Sequence, residues 1–313
     1  MHRRDRLLAL LVAVCWGLNF PATALALQHF PPLLMVALRF ALVAVPTVLL
    51  IPRPQVRLRW LIGTGLGIGV LQFVFLYLGM AAGMPAGLAS LVLQASAPFT
   101  VLLAGVFLAE RITRRQVVGI LLAVSGLAAI AVHRGESAAL LPVVLTLAGG
   151  LGWAIGNVCS RKAAAPSPFH LTLWMSVVPP VPMLAVSLLV EGPQRIAYAL
   201  STVFTLPALP AVLGLLYIVV IATLVGYGIW NTLLARYPSS SVAPFSMLVP
   251  IVGVLSSWVL LGERIDGVEA LAGVAVVGGV LIGSLPLRLP RRRREPADGH
   301  RPDYAAAARA EET

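Results

Sequence analysis

Long apolar runs alternate along the chain with short connections that contain proline, glycine or charged residues. A helix that crosses a membrane needs about 20 mostly apolar residues, and ten segments have that length and character. The predicted spans are residues 7–27, 33–51, 60–79, 86–109, 116–133, 138–160, 169–190, 209–235, 241–262 and 268–286. The pattern therefore predicts an all-α membrane protein with ten transmembrane helices.

Arginine and lysine are distributed unevenly among the connections between these spans. If the N-terminus is cytoplasmic, the segments on its side hold 12 of these residues without the C-terminal tail, and the opposite segments hold 3. Because cytoplasmic loops are enriched in positive charge, both termini are predicted to be cytoplasmic. Residues 288–313 include a cluster of arginines and many alanines, and they are predicted to be a disordered basic tail.

Two hydrophobic stretches end in the same polar triplet. Glu110-Arg111-Ile112 ends the first, and Glu263-Arg264-Ile265 ends the second, 153 residues later; Pro85 and Pro238 match at the same offset. Five spans per half is an odd number, so the second half must enter the membrane from the opposite face. We therefore predict two inverted five-helix repeats, residues 5–134 and 138–287, an arrangement typical of secondary transporters.

The composition agrees with a membrane protein and disfavours other classes. Hydrophobic residues make up 59% of the chain, against roughly 45–50% in soluble domains. The net charge is +11, and the positively charged residues lie between apolar runs and in the tail. We therefore expect lipid and a small molecule as partners rather than nucleic acid. The single lysine, Lys162, precedes alanine, which excludes a Gly-Lys-Ser/Thr phosphate-binding loop. We expect no cofactor.

Enzymatic activity is not expected, because the spans show no nucleophile arrangement, metal cluster or pair of carboxylates. The cysteines, Cys15 and Cys159, lie in separate apolar runs and are expected to be packing residues rather than metal ligands. The aspartates and glutamates lie at span ends, in loops or in the tail rather than in the hydrophobic interior of a span, so a proton relay of buried carboxylates is not expected either.

Arg39 is the charged residue that lies inside a predicted span, with apolar residues on both sides. An arginine there costs several kcal/mol unless it reaches water, backbone carbonyls or an anion. Two interpretations follow. Arg39 is either structural, snorkelling to water or bound to carbonyls at a helix end, or it binds a substrate carboxylate, which its planar guanidinium matches.

Further polar and aromatic side chains within the spans are candidates to line a substrate cavity together with Arg39. Asparagine, glutamine and tyrosine would supply neutral hydrogen bonds and tryptophan would form the walls; for the asparagines, an interhelical hydrogen bond is the alternative. These candidates are Trp16, Asn19, Gln94, Trp153, Asn157 and Tyr227.

Two prolines and two glutamates occupy related positions in the repeats. Pro98 and Pro250 are one residue out of register, and we predict that they let spans four and nine bend during transport. Glu110 and Glu263 are expected to pair with arginines of their own loops, and a role in gating is the alternative.

These residues resemble the drug/metabolite transporter superfamily, specifically EamA-type transporters with two five-helix repeats, over about residues 5–287. The resemblance rests on Trp16-Gly17-Leu18-Asn19-Phe20, on Pro31-Pro32 followed by Leu38-Arg39-Phe40, and on the two Glu-Arg endings. Residues 83–94, 225–230, 242–244 and 248–250 are similar to the O-acetylserine/cysteine exporters of that superfamily.

The resemblance implies an inner-membrane efflux protein for cysteine-pathway metabolites, with a central cavity between the repeats. We accordingly expect export of small amino-acid-like metabolites by alternating access. A multidrug or other small-metabolite exporter of the same fold is the alternative, and the sequence leaves a monomer and a homodimer equally open.

Overall fold

The computed structural model describes residues 1–136, 140–237 and 239–284. Within this part of the chain the regular structure is helical and contains no strand. Ten helical spans are long and apolar enough to cross a membrane, which confirms the predicted fold class. Their ends lie within four residues of the predicted boundaries. The predicted basic tail, residues 288–313, lies outside the described residues.

The first half contributes five of the spans. Spans 1 to 5 are Arg3–Leu27, Pro32–Leu50, Leu58–Ala81, Ala86–Phe107 and Arg114–Glu136. The second half contributes the other five. Spans 6 to 10 are Leu140–Ala163, Pro168–Val190, Leu206–Arg236, Pro244–Leu261 and Gly267–Ser284. A four-residue helix, Ser239–Val242, leads into span 9, and an amphipathic helix, Pro193–Ser201, connects spans 7 and 8.

Successive spans run in opposite directions, so the chain ends alternate between two faces of the bundle. We call the face at which span 1 begins the first face and the opposite one the second face. The Tyr237 hydroxyl, after span 8, donates a hydrogen bond of 2.5 Å to Asp5 at the start of span 1. This contact places the start of span 1 and the end of span 8 on the same face, as eight alternating crossings require.

Glycines allow the closest approaches between spans. A Cβ on Gly67 of span 3 would lie 2.5 Å from the Cα of Gly156 in span 6. A Cβ on Gly119 of span 5 would lie 2.5 Å from the carbonyl oxygen of Gly279 in span 10. Small residues at such crossings let dispersion hold helices together in lipid, where the hydrophobic effect does not.

Spans 3 and 8 each contain a π-helical segment in place of regular α-helix. The segments are Gly65–Gln72 and Tyr217–Val225, and the repeat offset of 153 superimposes one on the other. A π-helix widens the turn and releases carbonyl groups from the regular ladder, and such segments are frequent at functional sites.

Spans 4 and 9 each contain a turn of 3₁₀-helix just before a proline. The turns are Leu93–Ala95 and Ala243–Met247. Pro98 and Pro250 then occupy the third position of the α-helix that follows, where a missing N–H disturbs little because first-turn donors lack intrahelical partners. The two prolines thus lie at equivalent discontinuities, and bending there remains a prediction.

Candidate functional site

Arg39 lies at the centre of a group of side chains from both halves of the chain. Its side chain is 5% exposed. Nη1 donates to the Tyr77 hydroxyl at 2.8 Å, and Nη2 donates to the Thr223 hydroxyl at 3.4 Å. The guanidinium carbon lies 3.8 Å from the ring centroid of Phe73. Spans 2, 3 and 8 therefore meet at this guanidinium.

The surroundings of Arg39 leave its charge without a negative partner among the described residues. Both hydrogen bonds go to neutral hydroxyls rather than to carbonyls at a helix end. Nε is buried and has no hydrogen-bond partner in the described part of the chain. Hydroxyls and an aromatic face lower the cost of burying a cation but do not neutralise it. The guanidinium is therefore a candidate partner for an anion.

Trp16 belongs to an aromatic group that contacts span 8. The ring of Trp16 is 5.1 Å, between centroids, from the rings of both Tyr227 and Trp230. The Trp16 indole N–H donates to the carbonyl of Ala222 at 2.9 Å, within the π-helical segment of span 8. The structure thus brings Trp16 and Tyr227 together and joins Trp16 to the π-helical segment that also contacts Arg39.

Trp153 and Asn157 form a second group on spans 6 and 4. The Trp153 indole donates to the Asn157 side-chain oxygen at 3.1 Å, and the Asn157 amide donates to the Thr100 hydroxyl at 3.2 Å. Within the described residues, no hydrogen bond or ring contact joins this group to Arg39. The sequence-predicted cavity residues therefore divide into two clusters.

Asn19 and Gln94 belong to neither cluster by direct hydrogen bonds. The Asn19 side-chain oxygen and the Gln94 side-chain nitrogen are buried, and neither has a partner in the described ranges. Such atoms are uncommon in native proteins, which makes them candidates for contact with a bound polar molecule. Asn19 does not reproduce the contacts of Asn157, although the two occupy similar positions in the repeats.

Sequence reasoning did not identify the groups that hold Arg39. Tyr77 was one of many polar residues within spans, and Thr223 is a single hydroxyl in the apolar run of span 8. The Thr223 hydroxyl donates to the carbonyl of Ile218 at 2.8 Å, five residues earlier. That spacing belongs to the π-helical segment, which no sequence motif indicates.

The expectation that Glu110 and Glu263 pair within their own loops is wrong. The Glu263 carboxylate accepts the backbone N–H groups of Ala86 and Gly87, each at 2.9 Å, at the start of span 4. Glu110 binds the guanidinium of Arg161 at the end of span 6. The unpaired N–H groups and the dipole of a helix start attract a carboxylate strongly, and both partners are distant in sequence.

Comparison with known proteins places these features in a family. The EamA-like transporter family matches residues 6–132 and 140–285. A "Probable amino-acid metabolite efflux pump" of Salmonella typhimurium is 43% identical over 300 residues, covering 94% of this chain and 99% of the relative. A protein of the same name from Escherichia coli is 42% identical, over 92% of this chain and 97% of the relative.

A more distant relative and a solved structure are also similar to this chain over most of its length. A "Probable terminal-alkyne amino-acid exporter" of Streptantibioticus cattleyicolor is 27% identical over 91% of this chain and 94% of its own length. A solved crystal structure with 18% identity superimposes with a TM-score of 0.60, covering 93% of this chain and 100% of its own, and shows the same fold. The family match over both halves and the relatives above 40% identity show that this chain belongs to the EamA-like transporter family.

Proposed function

We propose that this transporter exports small amino-acid-like metabolites of the O-acetylserine and cysteine class across the inner membrane, by alternating access and with both termini cytoplasmic. The observation that carries the proposal is the buried guanidinium of Arg39, which has no carboxylate partner among the described residues. The names of the relatives at 42% and 43% identity specify amino-acid metabolite efflux, which supports export of amino-acid-like metabolites.

In this proposal the substrate carboxylate binds Arg39. The unpartnered Nε and the adjacent Nη form the planar fork that a carboxylate matches with two hydrogen bonds. Tyr77 and Thr223 hold the guanidinium in place from spans 3 and 8. An anion here would remove the cost of burying an unneutralised charge, so binding would be favoured by the site itself.

The remainder of a zwitterionic substrate would contact neutral groups. Its ammonium would lie against aromatic faces, which attract cations, and we assign this role to Trp16 and Tyr227, whose ring centroids are 5.1 Å apart. Asn19 and Gln94 each offer a buried polar atom without a partner among the described residues. In the same proposal, Trp153 and Asn157 line the side of the cavity formed by spans 4 and 6.

Counterflow in proteoliposomes tests this function. Vesicles loaded with unlabelled O-acetylserine or cysteine should transiently accumulate the labelled compound with wild-type protein. Arg39→Lys keeps the charge and loses the fork, so we expect about a tenfold or greater loss of apparent affinity, since hydrogen bonds to charged groups contribute about 1.5–3 kcal/mol. Arg111→Lys makes the same change in an exposed loop residue and serves as the matched control.

Accumulation that persists unchanged in Arg39→Lys and Arg39→Met would contradict a carboxylate-binding role for Arg39. Absence of accumulation with either amino acid, in folded protein that exchanges larger apolar compounds, would contradict the substrate class and favour a multidrug exporter.

A further inference from the structure

The start of span 4, on the second face, is bound tightly to the other half of the chain. Glu263 accepts the first two backbone N–H groups, those of Ala86 and Gly87. One turn later the Ser90 hydroxyl lies 3.3 Å from the carbonyl oxygen of Pro250 in span 9. All residues of the first segment, Ala86–Val92, are buried. The second face is therefore closed where spans 4 and 9 meet.

The inverted repeat assigns a counterpart to each member of this contact. Moving Glu110 by the offset of 153 gives Glu263, and moving residues 86 and 87 gives residues 239 and 240. The start of the Ser239–Val242 helix, on the first face, is thus equivalent to the start of span 4. A repeat that adopted the conformation of its partner would place the Glu110 carboxylate against these backbone N–H groups.

Glu110 makes a different contact in the structure. Its side chain is 45% exposed, and its carboxylate binds the guanidinium of Arg161 at the end of span 6. The two repeat-related glutamates therefore occupy two different states in one molecule: Glu263 caps a helix, and Glu110 is held by an arginine. An asymmetry of this kind between inverted repeats is expected when one face is closed and the other is open.

We propose that Glu263 and Glu110 are alternating latches of the transport cycle. Glu263 holds the second face closed by capping the start of span 4. In the opposite state Glu263 releases those N–H groups, and Glu110 leaves Arg161 to cap the helix that begins at residue 239. Arg161 competes for Glu110 and so favours the state seen here. The latch rests on alternating access, as proposed above, but not on the identity of the substrate.

A distance measurement between two spin labels tests the latch without any substrate. In a chain carrying Cys15→Ala and Cys159→Ala, labels are attached at Ala82→Cys and Gly267→Cys. Both positions are exposed on the second face, and a Cβ at Gly267 meets no atom within 4 Å. Pulsed electron–electron double resonance then gives the distribution of distances between the two labels. Molecules with the second face closed contribute the short distance, and molecules with that face open contribute the long one.

Glu263→Gln should raise the ratio of open to closed molecules by about tenfold, because it replaces a carboxylate cap by a neutral amide. Glu110→Gln should lower the same ratio, because it weakens the cap of the opposite state. Arg161→Ala should raise it, since Glu110 loses its competing partner; this variant leaves the closed second face untouched and tests the latch even if Glu263→Gln folds poorly.

Glu191→Gln is the matched control. The Glu191 carboxylate also caps a helix start on the second face, through the N–H groups of Leu33 at 2.8 Å and Leu34 at 3.0 Å. It has no glutamate counterpart at the repeat offset, so we expect no change in the distance distribution. Shifts in the same direction for Glu263→Gln and Glu110→Gln, or equal shifts for Glu263→Gln and Glu191→Gln, would overturn the proposal. Failure of amino-acid counterflow with these shifts intact would refute only the substrate class.

Discussion

Arg39 and Tyr77 should be strongly coupled in energy, because their hydrogen bond is short and fully removed from water. Nη1 and the hydroxyl oxygen are 2.8 Å apart, Tyr77 is 0% exposed and Arg39 is 5% exposed. A hydrogen bond to a charged group contributes about 1.5–3 kcal/mol. The double-mutant cycle of Tyr77→Phe and Arg39→Met should therefore give a coupling free energy of about 1.5–3 kcal/mol.

Thr223 provides an internal comparison for this value. Its hydroxyl is 3.4 Å from Nη2 of Arg39 and also donates to the carbonyl of Ile218 at 2.8 Å. The contact with Arg39 is long, so the cycle of Thr223→Val with Arg39→Met should give a coupling below about 1 kcal/mol. Valine keeps the shape of threonine and leaves the packing of span 8 nearly unchanged.

The assay is unfolding of purified protein by dodecyl sulfate in mixed micelles, followed by circular dichroism, for the wild type and each single and double variant. Tyr77→Phe and Arg39→Met effects that add within about 0.5 kcal/mol would refute the reasoning. The same result would mean that Tyr77 does not position the guanidinium, and the site described above would lose its support from span 3.

Three further results are expected. Gly253→Ala should destabilise the protein by about 1–3 kcal/mol, because the added Cβ would lie 2.7 Å from a side chain of span 4. Gly278→Ala places its Cβ in open space and should leave the stability unchanged. Thermal denaturation in detergent compares the two variants. Pro98→Ala combined with Pro250→Ala should slow counterflow, and unchanged rates would show that bending at these prolines is not needed. A backbone N–H of the following helix and a neighbouring histidine hold the pKa of Asp266 below its ordinary value of 3.8. The ionised carboxylate therefore stabilises the folded protein above pH 3.8, and this stabilisation is lost on acidification. The melting temperature of Asp266→Asn should depend less on pH than that of the wild type.

The apolar pattern by itself determined the membrane architecture. Ten runs of sufficient length predicted ten spans, and the structure places their ends within four residues of the expected positions. The reason is physical: in a bilayer each helix satisfies its own backbone and needs only a long enough apolar sequence. The repeat of Glu110 at Glu263 similarly revealed the two related halves before any contact was known.

Only the tertiary structure decided which side chains meet. Arg39 was recognisable as an unusual charge within a span, but its contacts come from residues 38 and 184 positions away. Glu263 caps a helix that begins 177 residues earlier, although arginine is its neighbour in sequence. Hydropathy is a property of each segment, whereas these contacts depend on the rotation and depth of every helix in the bundle. Glycine crossings and π-helical segments set those quantities through packing between distant parts of the chain.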